Sequence, residues 1–237
     1  MTACVPELHV LSAGAAKELV LGLQADFERE VGVSLHDTFG AVGAMLERLN
    51  AGAACDLIIL TRTMLDALAR EGRIEHDIAD LGWVHTGVAV ASAAAVRPVA
   101  DVPALRAVLE PARAIYLPDP QRATAGIHAV RVLKALGLPD IESRLRAHPN
   151  GAAAMATLAQ QADPQAVGIT QVSEILYTPG VRLLGALPAP HCLATLYSAA
   201  VARGSAHVGA ATQLLQRLCA ADRARWRQQS GFEPVAA

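Results

Sequence analysis

Leu11-Ser12-Ala13-Gly14-Ala15-Ala16 joins a short apolar strand to an amphipathic helix, and the device recurs at Phe39-Gly40-Ala41-Val42-Gly43-Ala44 and Ile58-Ile59-Leu60-Thr61-Arg62-Thr63. Each turn follows a strand-like run: Leu8 to Leu11, the alternating Val33 to Phe39, and the continuous apolar Asp56 to Leu60. Each precedes apolar residues at spacings of three and four, first Ala16, Leu19, Leu23 and Phe27, then Met45, Leu46 and Leu49, then Leu65, Leu68 and Ala69. Three successive β-α units imply right-handed crossovers and a parallel sheet. In such a sheet the turns gather at the carboxyl edge of the strands, where helix N-termini present backbone amides to a small anion.

A second α/β region follows a change of rhythm near Leu81 to Gly87. Its sequence predicts strands at Val88 to Ala91, Ala114 to Leu117, Val167 to Ile169, Val181 to Leu184 and Leu193 to Val201. Helices are expected around Leu105 to Leu109, from Thr124 to a stop at Gly137, from Asn150-Gly151 through Leu158, and briefly through Ile175 and Leu176. Two further helices, about Gly209 to Cys219 and Asp222 to Ser230, close the chain. With 237 residues the chain can bury one large core or two modest ones.

Composition narrows the function. Aromatic residues make up only 3% and the formal net charge is -2, so neither stacking surfaces nor a basic patch point to nucleic acid. No window approaches the length of apolar chain that spans a membrane. The eight histidines and four cysteines are scattered without ligand spacing, so no metal and no cofactor are expected. Cys4, Cys55, Cys192 and Cys219 read as reduced, buried thiols. Met1 to Glu7 has neither a basic n-region nor an apolar h-region. That pattern reads as a cytoplasmic protein, or as a periplasmic one whose leader was removed.

Taken in order, His9-Val10-Leu11-Ser12-Ala13-Gly14-Ala15, Phe39-Gly40-Ala41-Val42-Gly43, Gly52-Ala53-Ala54-Cys55-Asp56, Ala125-Gly126-Ile127 and Ser230-Gly231-Phe232 resemble the molybdate-binding proteins of ABC importers. These have the type 2 periplasmic-binding fold. The resemblance implies an α/β protein of two lobes with a ligand cleft between them and two hinge-crossing strands. Lobe 1 would comprise residues 1–84 with 200–237 returning to it, and lobe 2 residues 85–199. Trp83 and His85 would pack the hinge. The departures are equally informative. Where that family places an oxyanion-binding serine in each of the first two turns, this chain has Ala15 and Val42, and it has Gln171 in place of a pocket tyrosine. Loss of those donors disfavours molybdate.

The expected ligand groups are therefore Gly14, Ala15, Val42, Gly43, Thr61 and Arg62 in the first lobe, and Thr124, Ala125, Asn150, Gly151 and Gln171 in the second. Arg62 reads either as a bidentate carboxylate clamp or as a solvated arginine opening a helix. Thr61 either donates to the ligand or caps that helix, and the same choice stands for Thr124 and Asn150. Lys17 reads as a surface charge. Glu174 and His128 are the candidate proton-transfer groups, against a first-turn carboxylate on a helix dipole and a satisfied histidine.

Three functions stay open. The first is a solute-binding protein for a small anion, an organic di- or tricarboxylate before molybdate, with an ABC importer as partner if the protein is exported. The second is a cytoplasmic enzyme on the same scaffold, resembling aconitate isomerase, that moves a double bond by allylic proton transfer. The third is a cytoplasmic ligand sensor.

Overall fold

The structure is a computed structural model that describes residues 5–161 and 163–235. The chain forms two compact units, Met1–Trp83 with Leu196–Ala237, and Val84–Thr195. It crosses from one to the other inside two long strands, β4 (Ile74–Ala91) and β9 (Ala194–Ala202).

Unit 1 begins with β1 (Glu7–Ala13), a single 3-10 turn (Gly14–Ala16) and α1 (Lys17–Val31). It continues through β2 (Ser34–Gly40), α2 (Val42–Asn50), β3 (Leu57–Thr61) and α3 (Arg62–Arg70). β1 lies between β2 and β3 and is parallel to both, while β9 runs antiparallel along β3. The register Ala13↔Gly40 sets the ends of β1 and β2 side by side, so the first two turns are neighbours. Leu57 to Leu60 is fully buried, as a central parallel strand requires. The apolar stripe of α1, with Leu19, Leu23 and Phe27, is buried and meets the late helix α9 (Val208–Cys219). A second 3-10 turn and α10 (Ala224–Gln229) then lead to Phe232, also in the core.

Unit 2 contains α4 (Val102–Leu109), β5 (Ala114–Pro118), α5 (Thr124–Ala135), α6 (Ile141–Arg144) and β6 (Leu145–His148). α7 (Gly151–Gln161), β7 (Ala166–Gln171), α8 (Val172–Tyr177) and β8 (Val181–Ala186) complete it. β5 is parallel to β6 and β7, and β4 runs antiparallel to β7 and β8. The carboxyl ends of β5, β6 and β7 therefore share one edge, from which α5, α7 and α8 start.

Two stretches depart from the sequence reading. β4 begins at Ile74, not at Val88. Its first half, Glu75-His76-Asp77, is polar and solvated and carries no alternation that marks a strand. α6 and β6 were not expected either; Arg146 and Ala147 are exposed, so β6 is an edge strand with no buried face to betray it. The thiols also differ. Cys192 is exposed and Cys55 and Cys219 are half-buried, all three free, while Cys4 lies outside the described residues. Burial pushes the Cys55 thiol up to about 12 and Cys219 to about 11.

Candidate functional site

In unit 1 the first two turns open helices that nothing in the side chains caps. Ala13 is the N-cap of the 3-10 turn and Ala41 the N-cap of α2, and neither offers an acceptor. Ser12, the hydroxyl nearest the first turn, donates instead to the Ala13 carbonyl at 3.0 Å. Gly14, Ala15 and Val42 are buried, and Gly43 is half-buried. First-turn amides have no partner inside their own helix, so buried ones call for an acceptor from elsewhere.

The third turn differs. Thr61 caps α3, its Oγ1 accepting the Met64 N–H at 3.4 Å. Arg62, read as either a clamp or a solvated arginine, is engaged by two carboxylates: its Nε donates to Asp66 and its Nη1 to Asp80, each at 2.9 Å. Asp80 also accepts from Ser198 Oγ at 2.7 Å, which ties α3, β4 and β9 together inside unit 1. These two carboxylates, Asp66 first, raise the Arg62 pKa and keep the guanidinium charged. Lys17 Nζ sits 5.8 Å from the centre of the Phe39 ring.

The carboxyl edge of unit 2 divides in the same way. α5 starts at Ala123 with no side-chain cap, and its first turn holds Thr124, half-buried, and Ala125, buried. Gly126 lets this turn lie against β5, because a Cβ there would overlap the Pro118 and Asp119 carbonyls. Asp119 Oδ1 shapes the approach by accepting the Gln121 and Arg122 N–H groups at 2.8 and 3.1 Å.

α7, by contrast, is already satisfied. Asn150 Oδ1 accepts the Ala153 N–H at 2.9 Å, and the Gly151 and Ala152 amides donate to the carboxylate of Glu174. Thr170 Oγ1 donates to the same carboxylate at 2.5 Å, and the Gln171 amide joins them. Burial raises the Glu174 pKa, while these four hydrogen bonds oppose the rise. A Cβ at Gly151 would overlap both Glu174 Oε2 and Thr170 Oγ1, which explains the glycine. The Gly151 amide thus has a partner inside unit 2, the Glu174 carboxyl group. Glu174 is an anchor sealed into the core rather than a base facing a ligand.

His128 Nε2 donates to the His191 carbonyl at 2.8 Å, leaving Nδ1 as its lone-pair nitrogen when the ring is neutral. Gln171 is 3% exposed, and neither its Oε1 nor its Nε2 has a hydrogen-bond partner. Thr86 Oγ1 and Ser173 Oγ are buried and unpartnered as well. Thr86 escapes a sequence reading because a threonine in an apolar strand carries no pattern of its own. Its tie to the site is register alone, Thr86↔Gln171. Trp83 is exposed, and its backbone pairs with Glu233. Among the described residues no group of three or more histidine, cysteine, aspartate or glutamate side chains could hold a metal ion. No helix among the described residues is long and apolar enough to cross a membrane.

A family profile described as bacterial extracellular solute-binding protein matches residues 8–233. The chain belongs to this family. Solved structures share its fold. The periplasmic molybdate-binding protein of Azotobacter vinelandii has a TM-score of 0.78, with 17% identity over 97% of this chain and 100% of that one. The sulfate-binding protein SubI of Mycobacterium tuberculosis H37Rv gives 0.74, with 17% identity over 97% of this chain and 87% of that one. At these identities the likeness shows the type 2 periplasmic-binding fold and no more. An aconitate isomerase from Pseudomonas sp is 28% identical over 98% of this chain and 90% of its own length.

Proposed function

We propose that this solute-binding family member binds a small organic anion of the di- or tricarboxylate class through backbone amides. The uncapped helix starts carry the reading. α4 is capped by Asp101 Oδ1 on the Ala104 N–H at 2.8 Å, but α6, α9 and α10 start without a side-chain cap outside the candidate set, so a missing cap marks a site only where two such starts adjoin. In unit 1 the starts at Ala13 and Ala41 have no such acceptor and lie side by side, and within unit 2 the start at Ala123 has none either. An anion supplies the missing acceptors and is favoured by the positive ends of the helices. A flat carboxylate is served by few donors. A tetrahedral dianion requires more, and Ala15 and Val42 provide no hydroxyl for it. Delivery to an ABC importer follows if the protein is exported.

Isothermal titration with succinate, tricarballylate, trans-aconitate, sulfate and molybdate tests the proposal. Carboxylates are expected to bind and the inorganic dianions to bind more weakly. Tighter binding of molybdate would overturn the ligand class.

A second reading, isomerisation of a tricarboxylate, is favoured by the end-to-end similarity to an aconitate isomerase. It needs a proton-transfer group within reach of the substrate. Glu174 is enclosed and His128 holds a carbonyl, so simple binding ranks first. Incubation with trans-aconitate followed by NMR decides it, because appearance of the cis isomer would establish catalysis.

A further inference from the structure

The orphaned polar atoms of unit 2 go beyond the amide sites, and they are neutral. Gln171 closes β7 and is the N-cap residue of α8, yet its side chain makes no capping bond. Its amide therefore has both an unpaired acceptor, Oε1, and an unpaired donor, Nε2, at 3% exposure. Thr86 is its cross-strand partner on β4, fully buried, with an unpaired hydroxyl. Ser173, two residues on and 1% exposed, carries another. Native proteins seldom leave such groups without partners, since each forfeits its hydration for nothing.

The charge around them is spent. Glu174 has taken the Gly151, Ala152 and Gln171 amides together with the Thr170 hydroxyl. A carboxylate oxygen brought to Gln171 would lack those donors. A hydroxyl meets no such penalty. It donates to Gln171 Oε1 and accepts from Nε2 or from a neighbouring hydroxyl, filling both roles that the orphaned groups need.

We infer that Gln171, with its cross-strand neighbour Thr86 and with Ser173 two residues on in the chain, recognises a hydroxyl group of the ligand, so that the substrate class is the hydroxycarboxylates. This rests on the anion-binding reading above and deepens it. Within unit 2, the uncapped start of α5 after β5 offers amides to a carboxylate, and the Gln171 cluster at the end of the adjacent strand β7 selects the hydroxyl.

Matched acid pairs test the inference by titration calorimetry: malate against succinate, and citrate against tricarballylate. The wild type is expected to bind the hydroxy acid tighter by about tenfold or more, because a desolvated amide built for a hydroxyl is left unpaired by the deoxy analogue. Gln171→Met, close in size and apolar, should bring the ratio to about one. The melting temperature of the unliganded variant should not fall, since two buried unpaired atoms are removed; a capping or core role would lower it. Thr86→Val gives the same comparison if the first variant does not fold. Equal affinity within both pairs, or a preference that survives both substitutions, overturns the inference and leaves carboxylate binding intact. Tighter binding of trans-aconitate than of citrate also overturns it. If no acid and no inorganic anion binds, the anion-binding reading itself fails.

Discussion

At the scale of the residue, Gly151 and Glu174 set each other's identity. Gly151→Ala places a methyl group where the Glu174 and Thr170 oxygens lie. Overpacking of this kind should cost about 1–3 kcal/mol, read as a lower urea midpoint with an unchanged slope. In a Glu174→Ala background the added cost of Gly151→Ala should shrink, because the two residues are in contact. Arg62→Ala should cost only about 1 kcal/mol of stability, because its ion pairs are partly exposed. It should also leave carboxylate affinity nearly unchanged, since the guanidinium is already shared between Asp66 and Asp80. A loss of binding in titration calorimetry would return it to the site.

Asp37 on β2 gives a pH signature. Burial, helped by the nearby Glu28 charge, raises its pKa from the usual 3.8 to about 6, and its Oδ1 has no hydrogen-bond partner. Between those values the folded state binds more protons than the unfolded one, so this residue's contribution to stability falls as pH rises from about 4 to 6. Asp37→Asn should therefore melt higher than the wild type at pH 7, with the advantage fading by pH 4. An equal difference at both values would show that Asp37 titrates normally.

At the scale of the element, helix starts divide by what satisfies them. Asp101→Ala removes the cap of α4 and should cost about 1 kcal/mol without touching ligand affinity. Ala41→Asp does the reverse. Its carboxylate would take the first-turn amides of α2, weakening anion binding about tenfold or more while the unliganded protein keeps its melting temperature or gains. Unchanged affinity would remove α2 from the site. The capped and uncapped starts were partly legible in the sequence. Ala13 and Ala41 are visibly poor caps, and Asn150 a good one. The Glu174 carboxylate at α7 was not legible, because it comes from 23 residues later in the chain and reaches α7 only after β6 and β7 take their places on either side of β5.

At the scale of the whole molecule, a ligand that binds only the native protein stabilises it by mass action, by about 2.7 kcal/mol at a hundredfold excess over its Kd. For a chain of this size that raises the melting temperature by roughly 5–10 °C. A carboxylate that binds by calorimetry without such a rise would bind the unfolded chain equally well.

The alternation of apolar runs and small-residue turns determined the order of strands and helices, because burial imposes a period of two or 3.6 on whatever chain crosses a core. That pattern carried most of the fold and the positions of the helix starts. It was silent on Ile74 to Asp80 and on β6, where solvated or edge backbone is held by neighbouring strands and leaves side-chain patterning unconstrained. Only the tertiary structure decided which polar groups are free. Arg62, Thr61, His128 and Gly151 have the residue types of a binding site, but each has a partner supplied by the fold. Gln171 stood out in sequence only through the family resemblance and Thr86 not at all, and both are left unpaired where β4 pairs with β7. A side chain's chemistry is written in its type, whereas its availability depends on what long-range packing brings within hydrogen-bond reach.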